Sequence, residues 1–225
     1  LLDADKTYRV TAKLGIATDT GDADGKETET ADVPELSADD WAGIQEGFRG
    51  ESMQVPPMYS ALKKDGKRLY ELARKGETVD REARPIRIDE IELLEVAGSR
   101  LAFRVRCSKG TYVRTLVEDI AEKAGTVAHT ARLHRETVGA FQASDMLELS
   151  GIEAEEGSAA LLDRLMPPDA ALEDMPAVTL DSAATARFSA GQEVAAPVGS
   201  PPGLVRVYGA GDRFAGVGEL SVAGR

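Results

Sequence analysis

The sequence predicts an α+β fold with a small β-rich segment at its C-terminal end. Three observations carry this: a strand-like alternation near the start, an amphipathic helical stripe over 111–124, and a change of character after Phe141 that ends in short β-like runs. A chain of 225 residues with 42% hydrophobic content has room for one large domain or two unequal ones. The larger part is expected over 1–172 and the β-rich part over 173–225.

Lys6 to Leu14 alternates, with Tyr8, Val10, Ala12 and Leu14 on one side and Thr7, Arg9, Thr11 and Lys13 on the other, as a half-buried strand does. T-D-T-G-D-A-D-G-K (18–26) is a turn-rich loop. Ser37 can cap a helix running to about Phe48, with Trp41, Ile44 and Phe48 on one face. Pro56-Pro57 breaks the chain, and a short helix from about Lys67 to Lys75 is ended by Gly76. Pro85–Val96 and Leu101–Cys107 read as two strands of a hairpin turning at Gly98-Ser99. Thr111–Ala124 is the best helix, with Val113, Leu116, Val117 and Ile120 as its apolar stripe and Gly125 closing it. Glu148–Met166 reads as an acidic amphipathic helix or helix pair. Val178–Leu180, Leu204–Tyr208 and Phe214–Leu220 are the β-like runs that follow, in a segment too small for much stability of its own.

Charge divides the chain unevenly. The net is -12 overall, yet residues 51–114 carry fourteen Lys/Arg against ten Asp/Glu, and Gly98–Arg114 holds five cations and no carboxylate. The acid is concentrated in 1–50 and 142–186. Phosphate responds to cations within about a Debye length, roughly 8–10 Å, so a local basic groove survives the acidic total. No apolar run is long enough for a membrane helix. One cysteine cannot form an internal disulfide, which fits a reducing cytoplasm.

Most chemical motifs fail when tested. An EF-hand alignment on Asp22, Asp24 and Gly25 puts Thr20 at the first ligand position and Ala31 where the bidentate Glu belongs. His129 and His134 lack zincin spacing, so no metal is expected. Cys107, in an apolar alternation, reads as a buried structural thiol. Neither a P-loop nor G-x-G-x-x-G occurs, so no nucleotide cofactor is expected. What remains is C-S-K-G-T-Y-V-R-T-L (107–116). Arg114 sits in the first turn of its helix, where the macrodipole disfavours a cation unless a carboxylate or phosphate faces it. Pairing with Glu118, four residues on, is the plainer reading.

Taken together, K-T-Y-R-V-T-A-K-L-G with T-D-T-G-D-A-D-G (6–25), V-P-P-M-Y-S-A-L-K (55–63), R-E-A-R-P-I (81–86), C-S-K-G-T-Y-V-R-T-L (107–116) and L-H-R-E-T-V-G-A-F (133–141) resemble the TruB family of bacterial tRNA pseudouridine synthases. The resemblance implies a catalytic domain built on a mixed sheet with flanking helices and a cleft across one face, with a PUA-like RNA-binding domain over 173–225. It implies isomerisation of uridine 55 in the T-loop of tRNA by base flipping and an aspartate nucleophile, with tRNA (its T-arm) as partner, no cofactor and a cytoplasmic location. By the same resemblance Tyr8 stacks on the flipped base, and Arg114 pairs with the catalytic carboxylate. Asp22 shares that arginine, Tyr112 contacts substrate and Leu133 walls the base pocket. Residues 56–84 match a mobile thumb, and Lys63, Lys64, Lys67, Arg68, Arg84 and Lys109 are the implied RNA contacts.

The family's nucleophile lies in G-x-x-D-P-x-A-x-G, upstream of the K-x-Y strand, and no such motif occurs in these residues. The expectation is that this chain alone is inactive. Either its N-terminal part is absent, or a separate N-terminal fragment carries the catalytic Asp. Two functions compete with catalysis of this kind: a tRNA-binding or remodelling module without chemistry, and a guide-RNA-dependent relative. The intact Tyr8, Asp22 and Arg114 set argues against the first, and the thumb-like basic insertion against the second.

Overall fold

The computed structural model describes residues 1–154 and 162–221. They form two compact units, Leu1–Ser144 and Asp145–Arg225. The first is organised by strand β1 (Lys6–Leu14), whose alternation buries Val10, Ala12 and Leu14 while Arg9 stays exposed. Short strands β2 (Ile16–Thr18) and β3 (Glu27–Thr30) form a ribbon beside it. Helix α1 (Ala38–Glu46) opens on a capping box in which Ser37 and Asp40 satisfy each other's backbone N–H, and it buries Trp41. Strand β4 (Gly50–Gln54) follows.

The thumb-like segment differs from the expected helix over Lys67–Lys75. Asp65 and Gly66 both take positive φ (51° and 80°), the geometry of a tight hairpin turn. They fold β5 (Lys63–Lys64) back on β6 (Lys67–Arg68), so only Leu69–Ala73 is helical, as α2. Strands β7 (Arg84–Ala97) and β8 (Arg100–Cys107) then form the expected hairpin, and α3 (Val113–Lys123) buries its whole predicted stripe. Strands β9 (Ala128–Val138) and β10 (Phe141–Gln142) complete a six-stranded sheet in the order β10-β9-β1-β8-β7-β4, every neighbouring pair antiparallel.

The apolar face of this sheet (Val10, Leu14, Phe103, Val105, Ile88) packs with Trp41 of α1 and Leu116, Val117 and Ile120 of α3 in one core. The opposite face presents exposed Arg9, Arg104 and Arg106. Two one-residue bulges interrupt the β1–β9 register: Thr7 faces Thr137 but Tyr8 faces Arg135, and Thr11 faces Arg132 but Ala12 faces Thr130. Each bulge reverses the inward–outward phase of β9 relative to β1.

In the second unit, α4 (Leu149–Ala154) lies within the acidic stretch expected to be helical over 148–166, of which 155–161 fall outside the described residues. Strands β11 (Ala177–Thr179), β12 (Gly203–Gly209) and β13 (Arg213–Leu220) form a sheet in which β11 runs parallel to β12 and β13 antiparallel to it. A helix, α5 (Ser182–Ser189), was not foreseen among these strands. Asp181 caps it by accepting the Ala184 N–H at 2.7 Å. Val178, Leu180, Val205 and Val207 form the small core. Arg206 Nε donates to the Met175 carbonyl and the Tyr208 hydroxyl to Asp169, which fasten the preceding segment to β12.

Candidate active site

Arg114 is the hub. It is the second residue of α3, and nothing acidic in that helix's first turn offsets the macrodipole. The offset comes from across the fold. Arg114 Nη1 donates to Asp22 Oδ2 at 3.0 Å and to the Thr20 carbonyl at 2.7 Å, and Nη2 donates to the Tyr59 carbonyl at 2.6 Å. The carboxylate demanded by that helix position is therefore Asp22, and not Glu118. Glu118 sits one turn further on. Burial raises its carboxyl above the usual range, and Asp119 adds to that, while Arg114 pulls it down.

The 19–26 loop is shaped to deliver Asp22. Gly21 takes φ +71°, a conformation that glycine adopts without strain, and a Cβ there would meet only the mobile end of Glu118, at 2.7 Å from Oε1. Asp22 Oδ1 accepts from Thr20 Oγ1 at 2.7 Å and from Asp24 N at 3.2 Å, which leaves Oδ2 aimed at Arg114. Residue 22 forms a parallel bridge with Thr130, which fixes the loop to β9.

Tyr8 and Leu133 meet on a neighbouring part of the same sheet face. Leu133 lies opposite Val10 and Arg135 opposite Tyr8, with the Arg135 guanidinium 5.6 Å from the Tyr8 ring centre. The two bulges put Leu133 and Arg135 on the Tyr8 face, the side that α3 covers. Leu133 stays 46% exposed, an apolar side chain with no core to join. Thr130 and Leu133 are three residues apart on β9, about 10 Å along an extended strand, so one strand serves both the Asp22 loop and the Tyr8 pair.

Tyr112 is the N-cap residue of α3, and its side chain makes no cap bond. Its backbone is held by Gln54 instead. Gln54 Oε1 accepts the Tyr112 N–H at 2.8 Å, and Gln54 Nε2 donates to the Tyr112 carbonyl at 3.2 Å. Of the basic residues, Lys63, Lys64, Lys67 and Arg68 are exposed on the β5–β6 hairpin, and Arg84 is exposed opposite Gln54. Lys64 also donates to the Asp80 carbonyl. Arg68 and Arg74 flank the Tyr70 ring at 5.9 and 5.4 Å. Lys109 is engaged by Asp3.

Sequence reasoning missed Gln54, Gly21, Thr130, Arg135 and the Tyr59 carbonyl. Gly21, in a loop of aspartates and threonines, was the one with a visible signal. Cys107 is 1% exposed, and burial pushes its thiol up to about 11, an inert group. His129 and His134 lie opposite Lys13 and Arg9, roughly 13 Å apart along β1, too far to share an ion.

Three family models match the chain. The model for the N-terminal domain of TruB family pseudouridylate synthase matches residues 1–113, and that for the C-terminal domain of tRNA pseudouridylate synthase B matches 114–173. A third, for the C-terminal part of pseudouridine synthase II TruB, matches 176–225. The chain belongs to the TruB family. The tRNA pseudouridine synthase B of Nitrosococcus oceani is 46% identical over 227 residues, all of this chain and 74% of that protein. That of Pseudomonas putida is 47% identical over 228 residues with the same coverage. Among solved structures, a chain of a Cbf5-Nop10-Gar1 complex superposes with a TM-score of 0.66 at 26% identity, over 98% of this chain and 61% of that one. A chain of an H/ACA RNP bound to a substrate RNA containing 2′-deoxyuridine gives 0.66 at 22% identity, a shared fold. This TruB-family chain thus spans about three fifths of those solved chains.

Proposed function

We propose that this TruB-family protein isomerises uridine to pseudouridine in tRNA, at position 55 of the T-loop. The observation that carries the reading is the Arg114–Asp22 pair at the start of α3, on the same side of the sheet as Tyr8 and the exposed Leu133. The reaction breaks the N-glycosidic bond to N1, rejoins the base through C5 and releases the C5 proton. It calls for a flipped base held flat and a carboxylate kept ionised beside it. Tyr8 offers a ring for the base to stack on, and Leu133 an apolar wall beside it. Arg114, braced by two carbonyls and Asp22, keeps its guanidinium in place for the nucleophilic carboxylate, which is assigned to none of these residues. Tyr112, whose backbone is fixed by Gln54, is placed to contact the substrate.

The hairpin and helix of 56–84 act as a thumb on the T-arm, with Lys63, Lys64, Lys67, Arg68 and Arg84 meeting phosphates and Lys109 adding a further cation. Residues 1–172 constitute the catalytic part, and 173–225, a small sheet with a capped helix, a PUA-like RNA-binding domain. A tRNA substrate implies a cytoplasmic location. A guide-RNA-dependent function is disfavoured, because the 46–47% identical relatives carry the tRNA synthase name while the H/ACA particle chain stands at 22%.

Tritium release from a tRNA transcript labelled at uridine C5 tests the reading. Release is expected from the full-length gene product and not from residues 1–225 alone. It should vanish when the T-loop uridine is replaced by cytidine. Undiminished release from that second transcript would refute the assigned position, and turnover by the 225-residue chain would refute the external nucleophile.

A further inference from the structure

We infer that Gln54 is a positioning residue for catalysis, carrying the seating of the thumb to Arg114. The inference rests on the pseudouridine synthase reading above and deepens it. Gln54 is 4% exposed at the end of β4, and its amide forms two reciprocal hydrogen bonds with the backbone of Tyr112. In an ordinary capping box, the third residue of the helix returns a side-chain oxygen to the N-cap N–H. In α3 that third residue is Thr115, whose hydroxyl has no partner among the described residues. Gln54 supplies the missing acceptor from another strand. A buried amide with both ends satisfied is expensive to misplace, so the start of α3 is set by where β4 ends.

The same two segments are joined a second time. Five residues beyond Gln54, the Tyr59 carbonyl accepts from Arg114 Nη2 at 2.6 Å. Pro56 and Pro57 stiffen the stretch between the two attachments. Gln54 and Tyr59 on one segment, and Tyr112 and Arg114 on the other, therefore close a small frame. The thumb leaves this frame after Tyr59 and returns to it at Arg84, directly opposite Gln54 in the β4–β7 register. Arg81 Nη1, within the returning segment, donates to the Pro56 carbonyl at 3.2 Å. Force on the thumb from bound RNA reaches the Arg114 guanidinium through Tyr59. It orients that group only if the opposite corner of the frame is fixed, and Gln54 fixes that corner.

The test uses the full-length gene product in single-turnover tritium release, with tRNA affinity measured separately. Gln54→Leu keeps the volume and removes both hydrogen bonds. The expected result is a fall in the rate of ~100-fold, the scale of a catalytic group displaced by about an ångström, with tRNA affinity unchanged. Gln54→Glu keeps the oxygen that receives the Tyr112 N–H and should recover part of that loss. If the leucine variant melts before assay, the glutamate variant's partial loss carries the same comparison. Because Gln54 acts through Arg114, adding either change to Arg114→Lys should cost little more than Arg114→Lys alone. A normal rate in the Gln54 variants would overturn the inference. So would a loss confined to tRNA binding, or losses that multiply independently with Arg114→Lys. A wild-type protein that releases no tritium would overturn the reading beneath it, and the inference with it.

Discussion

Arg114→Lys keeps the charge and changes only its geometry, which makes it the sharpest single substitution in this fold. The arginine serves three acceptors from two nitrogens: Thr20 O and Asp22 Oδ2 from Nη1, and Tyr59 O from Nη2. A lysine ammonium is one atom and cannot occupy both nitrogen positions. Attraction to Asp22 keeps it on the loop side, so the Tyr59 carbonyl loses its donor. A hydrogen bond from a charged donor contributes ~1.5–3 kcal/mol, reduced to ~1–2 kcal/mol for a side chain that is 21% exposed. At about 2–4 °C per kcal/mol in a chain of this size, the melting temperature should fall by about 2–8 °C. The turnover loss should be far larger, ~100-fold, since the thumb and the guanidinium are no longer tied together. Thermal unfolding by circular dichroism and single-turnover tritium release measure the two effects. A lysine variant with wild-type melting and near-normal turnover would refute the bracing role altogether.

Neutralising Lys63, Lys64 and Lys67 in turn should weaken tRNA binding and flatten its dependence on log salt concentration, by about one unit of slope for each phosphate deprived of its cation. An unchanged slope would place the groove elsewhere. Gly21→Ala forces a side chain into φ +71°, a cost of about 1–2 kcal/mol that should appear as a lower urea midpoint at constant m-value. Burial, with Glu122 nearby, raises the Asp119 carboxyl from 3.8 to about 6. The folded state then holds a proton that the unfolded chain releases, so this group's contribution to stability falls as pH rises from about 4 to 6 and is flat beyond. Asp119→Asn should accordingly raise the melting temperature at pH 7.5 and leave it nearly unchanged at pH 4; an equal effect at both would dismiss the buried carboxylate as the cause. Cys107 should resist thiol reagents at pH 8 in the folded protein and react fully in urea, and rapid labelling of the native state would contradict its burial.

What the sequence disclosed follows from the range of the interactions involved. Strand β1, the β7–β8 hairpin and the α3 stripe are written in local periodicity, and their core residues follow from spacing alone. Arg114 stood out because a cation in the first helical turn is a local conflict, but its resolution by Asp22 lies ninety-two residues upstream. Gln54 gave no signal, since one amide bonding a backbone fifty-eight residues away leaves no pattern. The Asp65-Gly66 pair did mark a hairpin, and the helical pattern beside it masked the turn. Helix α5 was legible in the Asp181 cap and the alanines behind it, yet the surrounding β-like runs led that segment to be read as all strand. Strand β9 escaped altogether, because its two bulges break the alternation by which a strand is recognised.

Those bulges make register, and not composition, the quantity that must be preserved in β9. Outside them, the even-numbered residues of the strand share the Tyr8 face; between them, Leu133 and Arg135 do. Were β9 to continue the Ala12–Thr130 register past Ala131 and Glu136 without bulging, every side chain of the Tyr8 neighbourhood would still be in the chain, and the sheet could still pair. Yet the leucine wall and the arginine over the tyrosine ring would turn to the far side, and their places would be taken by Arg132 and His134. A lineage can therefore exchange the identities of many β9 residues one at a time. What must be kept is the pairing between the bulges, because a one-residue slip there would exchange both side chains at once.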